Sequence, residues 1–175
     1  MSYTKITISG QICTGKTTLY KALEKKLKWK AYATGQFFRD YALKHQLLIE
    51  QAEEQNTELT RKVDFKIRDM LKTKQYIIVE GWLAGIMANN YPKILKILLT
   101  CNKGERAKRF AKREKAKIKE SKDRIEEREA KWLAEIYKIH RLEDIFNPKH
   151  YDLVINTTDL TPKQIQSQVL RALNI

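Results

Sequence analysis

Residues 5–18 read KITISGQICTGKTT, and the fold turns on them. Lys5–Ile8 is a β-branched run of the kind that forms a buried strand. Gly10-Gln11-Ile12-Cys13-Thr14-Gly15-Lys16-Thr17 follows directly, and then Leu19, Ala22, Leu23 and Leu27 recur at helical spacing. Strand, glycine loop and helix in that order are the setting in which a G-x-x-x-x-G-K-[ST] loop cradles phosphates. The glycines let the backbone curl so that successive N–H groups face an anion. The helix beginning near Lys16 adds the positive end of its dipole. Lys16 supplies a full charge for β- and γ-phosphates, and the Thr17 hydroxyl suits Mg²⁺. The nucleotide-binding set is therefore Gly10, Gln11, Ile12, Cys13, Thr14, Gly15, Lys16, Thr17 and Thr18, with Mg²⁺ on Thr17. Cys13 takes part through its backbone N–H.

Outward from that loop the pattern alternates. Ala31–Ala33 reads as a short strand, and Thr34 reads as the cap of a helix carrying Phe37, Phe38, Tyr41 and Leu48. Residues 58–74 form an amphipathic helix with Val63, Ile67, Met70 and Leu71 on one face. Tyr76–Val79 and Ile94–Leu99 are apolar strands. Residues 103–146 are mostly helical and highly charged, with a break expected at residues 119–122. Leu153–Ile155 is a last strand, and Pro162 opens a final helix. Strands apolar throughout and separated by helices indicate an α/β fold, a parallel sheet of about five strands covered on both faces.

Composition bounds the rest. The 175 residues suit one domain, and three prolines at element boundaries with no Ser/Gly linker agree. No run of about 18 apolar residues exists to span a membrane. The chain opens straight into a strand-like segment, so a secretory signal is not expected and the cytoplasm is the default. Cys13 and Cys101 form no CxxC pair. A net charge of +14 attracts polyanions. It is better explained by a lysine-rich surface around a site for phosphorylated small molecules than by a nucleic-acid partner.

Phosphoryl transfer is indicated by what accompanies the loop. The strand at 76–79 closes on Glu80-Gly81, where a GTPase or motor tends to carry Asp. Arg106, Arg109, Arg113, Arg124 and Arg128 recur at helical spacing between residues 101 and 131. Arginine forks stabilise the charge that spreads over a phosphoryl group in transfer, and a closing lid excludes the competing water. Most charges in this run belong to a solvated helix surface. Arg109, Arg113 and Arg128 are expected to face the phosphates, ahead of Arg106. Gly35 and Arg39, where a helix opens beside Phe37 and Phe38, offer a second anion site for an acceptor.

The chain resembles the nucleoside monophosphate kinases, most closely the short archaeal-type cytidylate kinases. The landmarks are ITISG and GKTT, ATGQFFRDYA, VEGWLAGIM, ERAKRFAKRE, IEEREAKWLAEIY and YDLVINTTDL, in order over nearly the whole length. The resemblance implies a three-layer P-loop fold with strand order 2-3-1-4-5, an acceptor-binding segment at about 34–74 and a lid at about 103–128. It implies transfer from ATP to CMP or dCMP, with Lys16 bridging the phosphates and Arg109 and Arg113 closing from the lid. Arg39 and Arg128 would grip the acceptor phosphate, with Gly35 and Gly81 alongside and Glu80 beside the acceptor or the Mg²⁺ shell. Nucleotides are the implied partners; a monomer is expected. Trp82 replaces the usual Arg after Glu-Gly, and Trp132 and Glu135 replace a spaced acid and arginine. All three fall on the acceptor side, and core packing is the preferred role for the tryptophans. A P-loop kinase with another acceptor, or a basic RNA- or ribosome-associated NTPase, are the other readings.

Overall fold

The computed structural model describes residues 3–47, 57–73 and 75–175. Its strands are β1 (Lys5–Gly10), β2 (Lys30–Ala33), β3 (Ile77–Glu80), β4 (Ile94–Thr100) and β5 (Leu153–Asn156). They form one sheet in the order β2-β3-β1-β4-β5, and every pairing is parallel. The helices are α1 (Lys16–Leu27), α2 (Thr34–Lys44), α3 (Thr57–Lys72), α4 (Ala84–Met87), α5 (Lys103–Glu114), α6 (Ile118–His140) and α7 (Pro162–Ala172), with a 3₁₀ turn at Pro148–His150.

The two faces of the sheet have separate cores. In β3, Ile78 points to one side and Ile77 and Val79 to the other, as the pleat dictates. Ile78 joins Ile6 and Ile8 of β1, Leu19 and Leu23 of α1, and Ile165 and Val169 of α7. Ile77 and Val79 join Ile67 and Leu71 of α3 and Ala84 and Ala88 at α4. These three layers are the expected ones.

Local readings differ in several places. Thr34 is the first residue of α2 and not its cap; Ala33 precedes the helix with no side-chain cap bond. The Thr34 hydroxyl instead donates to the Glu80 carbonyl at 3.3 Å. The break in the charged helical run comes at residues 115–117, earlier than expected. Lys115 adopts φ 53° and its N–H returns to the Ala111 carbonyl, closing α5 without glycine or proline to announce it. Leu48 lies outside the described residues, as do residues 49–56 and 74 of the expected acceptor segment. At α7 the reading holds, with Pro162 at the first turn and Thr161 and Gln164 forming a reciprocal capping box.

Candidate active site

β1 is the middle strand of the sheet, and the glycine loop leaves its C-terminal end. Gly10 sits at φ +150°, and a Cβ there would run into the Leu99 carbonyl of β4 and stand 2.8 Å from the Thr14 hydroxyl oxygen. Gly15 takes φ +97° as the cap of α1, and Cys13 takes φ 60° although it is not glycine. These left-handed residues wind the backbone into an anion-binding nest at the α1 N-terminus. Inside it the Gln11 carbonyl accepts from Lys16 Nζ at 2.9 Å and from Thr14 Oγ1 at 3.0 Å. Desolvation pulls the Lys16 ammonium below its ordinary value, against the pull of Glu80. Burial pushes the Cys13 thiol up, with Arg113 and Lys16 opposing.

The neighbouring strand ends build the facing wall. The register pairs Ile8 with Glu80 and Ala33 with Glu80, and the Gly81 N–H donates to the Ile8 carbonyl at 3.1 Å. Glu80 is 3% exposed, and its Oε2 is buried with no hydrogen-bond partner. Desolvation raises its carboxyl above the ordinary range, offset in part by Lys16 and Arg39.

A cavity of about 680 Å³ opens between these elements. It brings Lys16, Thr17 and Thr18 together with Gly35, Arg39 and Glu80. Arg109, Arg113 and Arg128 complete it from α5 and α6. Loop and acceptor candidates, far apart in sequence, thus share one space of a size that suits small ligands.

The arginines differ in what holds them. Arg39 Nη2 donates to Gln36 Oε1 at 3.1 Å. Arg113 lies over the Phe110 ring at 5.1 Å and is half exposed. Arg109 is braced: its Nε donates to Glu105 at 3.1 Å, its Nη1 to Thr157 Oγ1 at 3.1 Å and its Nη2 to the Thr157 carbonyl at 2.7 Å. Thr157 Oγ1 in turn donates to the Thr14 carbonyl at 2.9 Å. Arg109 therefore joins α5 to the segment after β5, and Thr157 carries that tie on to the phosphate loop.

Sequence reasoning missed Thr157, although it lies in the YDLVINTTDL landmark. Arg106 and Glu129 were missed as a buried pair, 2.9 Å apart. Both lie in a run whose charges look alike on paper, and only packing separates the buried ones. The tryptophans pack into a hydrophobic cluster, the preferred role. Trp82 packs on Trp132 at 4.8 Å and on Phe146 at 5.3 Å, and both tryptophans also line the cavity. Glu135 is not among the residues lining the cavity; it accepts from the Thr57 hydroxyl and pairs with Lys138.

Among the described residues no three His, Cys, Asp or Glu side chains form a metal cluster. Mg²⁺ seldom needs one, since it binds through one or two protein oxygens plus phosphates and water. The Thr17 hydroxyl and the unpartnered Glu80 oxygen fit that requirement.

A phosphate loop at the C-terminal end of the middle strand of a 2-3-1-4-5 parallel sheet, sharing one cavity with arginines, defines a P-loop kinase. A family model described as an AAA domain matches residues 6–133. The cytidylate kinase of Thermoplasma volcanium is 32% identical, covering 97% of this chain and 91% of its own. That of Archaeoglobus fulgidus is 30% identical, covering 98% and 95%. The chain belongs to the nucleoside monophosphate kinase family, with the archaeal cytidylate kinases, and is an ATP-dependent phosphotransferase. Among solved structures, the shikimate kinase of Acinetobacter baumannii in complex with shikimate superposes with a TM-score of 0.63 at 14% identity, covering 97% of this chain and 92% of that one. A gluconokinase of Sinorhizobium meliloti gives 0.62 at 13%, covering 97% and 91%. At such identities the likeness is one of fold.

Proposed function

We propose that the protein transfers the γ-phosphoryl group of ATP to CMP or dCMP, giving ADP and CDP or dCDP. The observation that carries this is the shared cavity, lined by Lys16, Arg39, Glu80, Arg109, Arg113 and Arg128. The relatives named above as cytidylate kinases supply the acceptor.

The loop N–H groups and Lys16 bind the donor phosphates; Thr17 would hold Mg²⁺, and Glu80 would serve the acceptor or the Mg²⁺. Bound Mg²⁺ neutralises charge on the transferring group. Arg39 and Arg128 hold the acceptor phosphate and so aim its oxygen at the γ-phosphorus. Arg113 and Arg109 oppose the charge that grows on the equatorial oxygens. Positioning and electrostatics do most of this work, so no strong base is required. Residues 34–74 form the acceptor segment and 103–128 the lid of a single kinase domain. The enzyme acts as a cytoplasmic monomer.

A second reading rests on Trp82. An indole in place of the family arginine changes the acceptor side, and a P-loop kinase with another acceptor would show it. The test is ADP formation from Mg·ATP with CMP, dCMP, UMP, AMP, GMP and shikimate, beside a no-acceptor control. Strong stimulation by CMP or dCMP is expected. Preference for another acceptor would move the reading to the second kinase. Slow ADP release indifferent to acceptor, raised by RNA and weakened by salt, would replace it with a nucleic-acid-stimulated NTPase.

A further inference from the structure

We infer that Glu129 is a positioning residue for the phosphate loop, with Arg106 as its counter-ion. Glu129 lies in α6, next to Arg128. Its Oε1 accepts from the Ile12 backbone N–H at 2.9 Å, and its Oε2 accepts from Gln11 Nε2 at 3.2 Å and Arg106 Nη2 at 2.9 Å. One buried carboxylate thus joins α5, α6 and the first turn of the loop. Glu129 is 8% exposed and Arg106 3%.

Each contact has a consequence for the loop. The Gln11 carbonyl is the acceptor that holds Lys16 Nζ and Thr14 Oγ1. Fixing the Gln11 side chain and the next N–H therefore fixes the carbonyl that aligns Lys16. A bare carboxylate this close to a triphosphate site would repel its ligand. Arg106 offsets that charge, since the pair it forms with Glu129 through Nη2 is neutral as a unit. Arg128 adjoins Glu129 on the same helix and lines the cavity. A displacement of α6 would therefore move an acceptor-side arginine and the phosphate loop together.

This inference rests on ATP binding at the loop and is independent of which acceptor the enzyme uses. The competing role is bracing alone, with the pair merely clamping α5 to α6. Removing one partner of a buried pair destabilises strongly, whereas replacing both by apolar residues is often neutral. Two variants separate the roles: Glu129→Gln, and the double variant Arg106→Met with Glu129→Leu. Mg·ADP affinity is measured by calorimetry, thermal stability by scanning fluorimetry, and KM for the best acceptor where turnover permits.

In both variants the Mg·ADP Kd should rise about tenfold or more, the effect expected for losing hydrogen bonds to a charged group. Acceptor KM should change by no more than about twofold. The double variant should melt close to the parent and still bind Mg·ADP weakly. If it melts close to the parent and binds Mg·ADP as tightly, the inference is overturned and the pair is only a brace. If every acceptor fails while the parent binds Mg·ADP, the reading of the reaction falls and this one stands.

Discussion

His140 and Asp64 share a 2.8 Å hydrogen bond, Nε2 to Oδ2, although 76 positions separate them. The bond ties α3 to the end of α6, and both side chains are nearly inaccessible, at 9% and 4%. Burial pushes the Asp64 carboxyl up while the hydrogen bond from His140 pulls it down. Phe65 and the imidazole meet in a T-shaped contact, centroids 6.2 Å apart. His140→Ala leaves a buried acid without its partner. It should destabilise the fold by about 3 kcal/mol, a fall of roughly 6–12 °C in Tm for a chain of this size. Thermal melts with a urea titration check this. A variant melting within a degree of the parent would show that the bond holds nothing.

Glu80 carries the same balance as Asp64, because desolvation dominates its charge partners and its folded pKa is raised. A carboxyl raised on folding binds its proton more tightly in the native state. Stability is then lost as pH climbs from the ordinary value of 4.5 through the folded value. Glu80→Gln removes that slope. At neutral pH it should gain about 1 kcal/mol or more in stability while turnover falls about a hundredfold, the trade expected of a strained functional residue. Melts across pH 4 to 8, paired with initial rates, test both halves. Unchanged turnover would remove Glu80 from the acceptor and Mg²⁺ side.

Arg39 and Arg109 should separate kinetically. Among the described residues Arg39 donates to Gln36 one turn back and lines the cavity, and Arg39→Ala should raise acceptor KM more than tenfold and leave Mg·ATP binding intact. Arg109 spans Glu105 and both the carbonyl and hydroxyl of Thr157. An ammonium has no planar fork to make those contacts, so Arg109→Lys should fare nearly as badly as Arg109→Ala. The expected loss is about a hundredfold in kcat, with a smaller change in ATP affinity. Steady-state kinetics varying each substrate decides the matter. A silent Arg109→Ala would end its assignment to phosphoryl transfer.

What the sequence revealed follows from what is local. The phosphate loop was legible because its glycines, lysine and threonine are adjacent and the strand before it is apolar throughout. The layers were legible because Ile77, Ile78 and Val79 are consecutive apolar residues, so both faces of β3 must be covered. The turn at Lys115 was misplaced because a left-handed lysine has no compositional mark. The Arg106–Glu129 pair was invisible because burial, and not residue type, distinguishes it from the solvated charges around it. Thr34 was misread for a related reason, since its hydroxyl serves a strand 46 positions away instead of its own helix.

The tryptophan wall offers the last test. Trp82 and Trp132 lie 4.8 Å apart at a 41° tilt and border the same cavity as Arg39 and Arg128. Trp29, the third tryptophan, packs on Tyr76 away from that cavity's lining. Trp29→Phe therefore leaves emission from the cavity pair alone. If an acceptor base meets this wall, CMP should quench that emission and Trp82→Leu should raise acceptor KM about fivefold to tenfold, the value of an aromatic contact beyond simple burial. Trp82→Phe should recover most of the affinity because it keeps a ring against Trp132. The alternative is a wall that only packs, Trp82 leaning on Phe146 at 5.3 Å. In that case Trp82→Leu lowers Tm, acceptor KM stays at the parent value, and base recognition belongs elsewhere in the cavity.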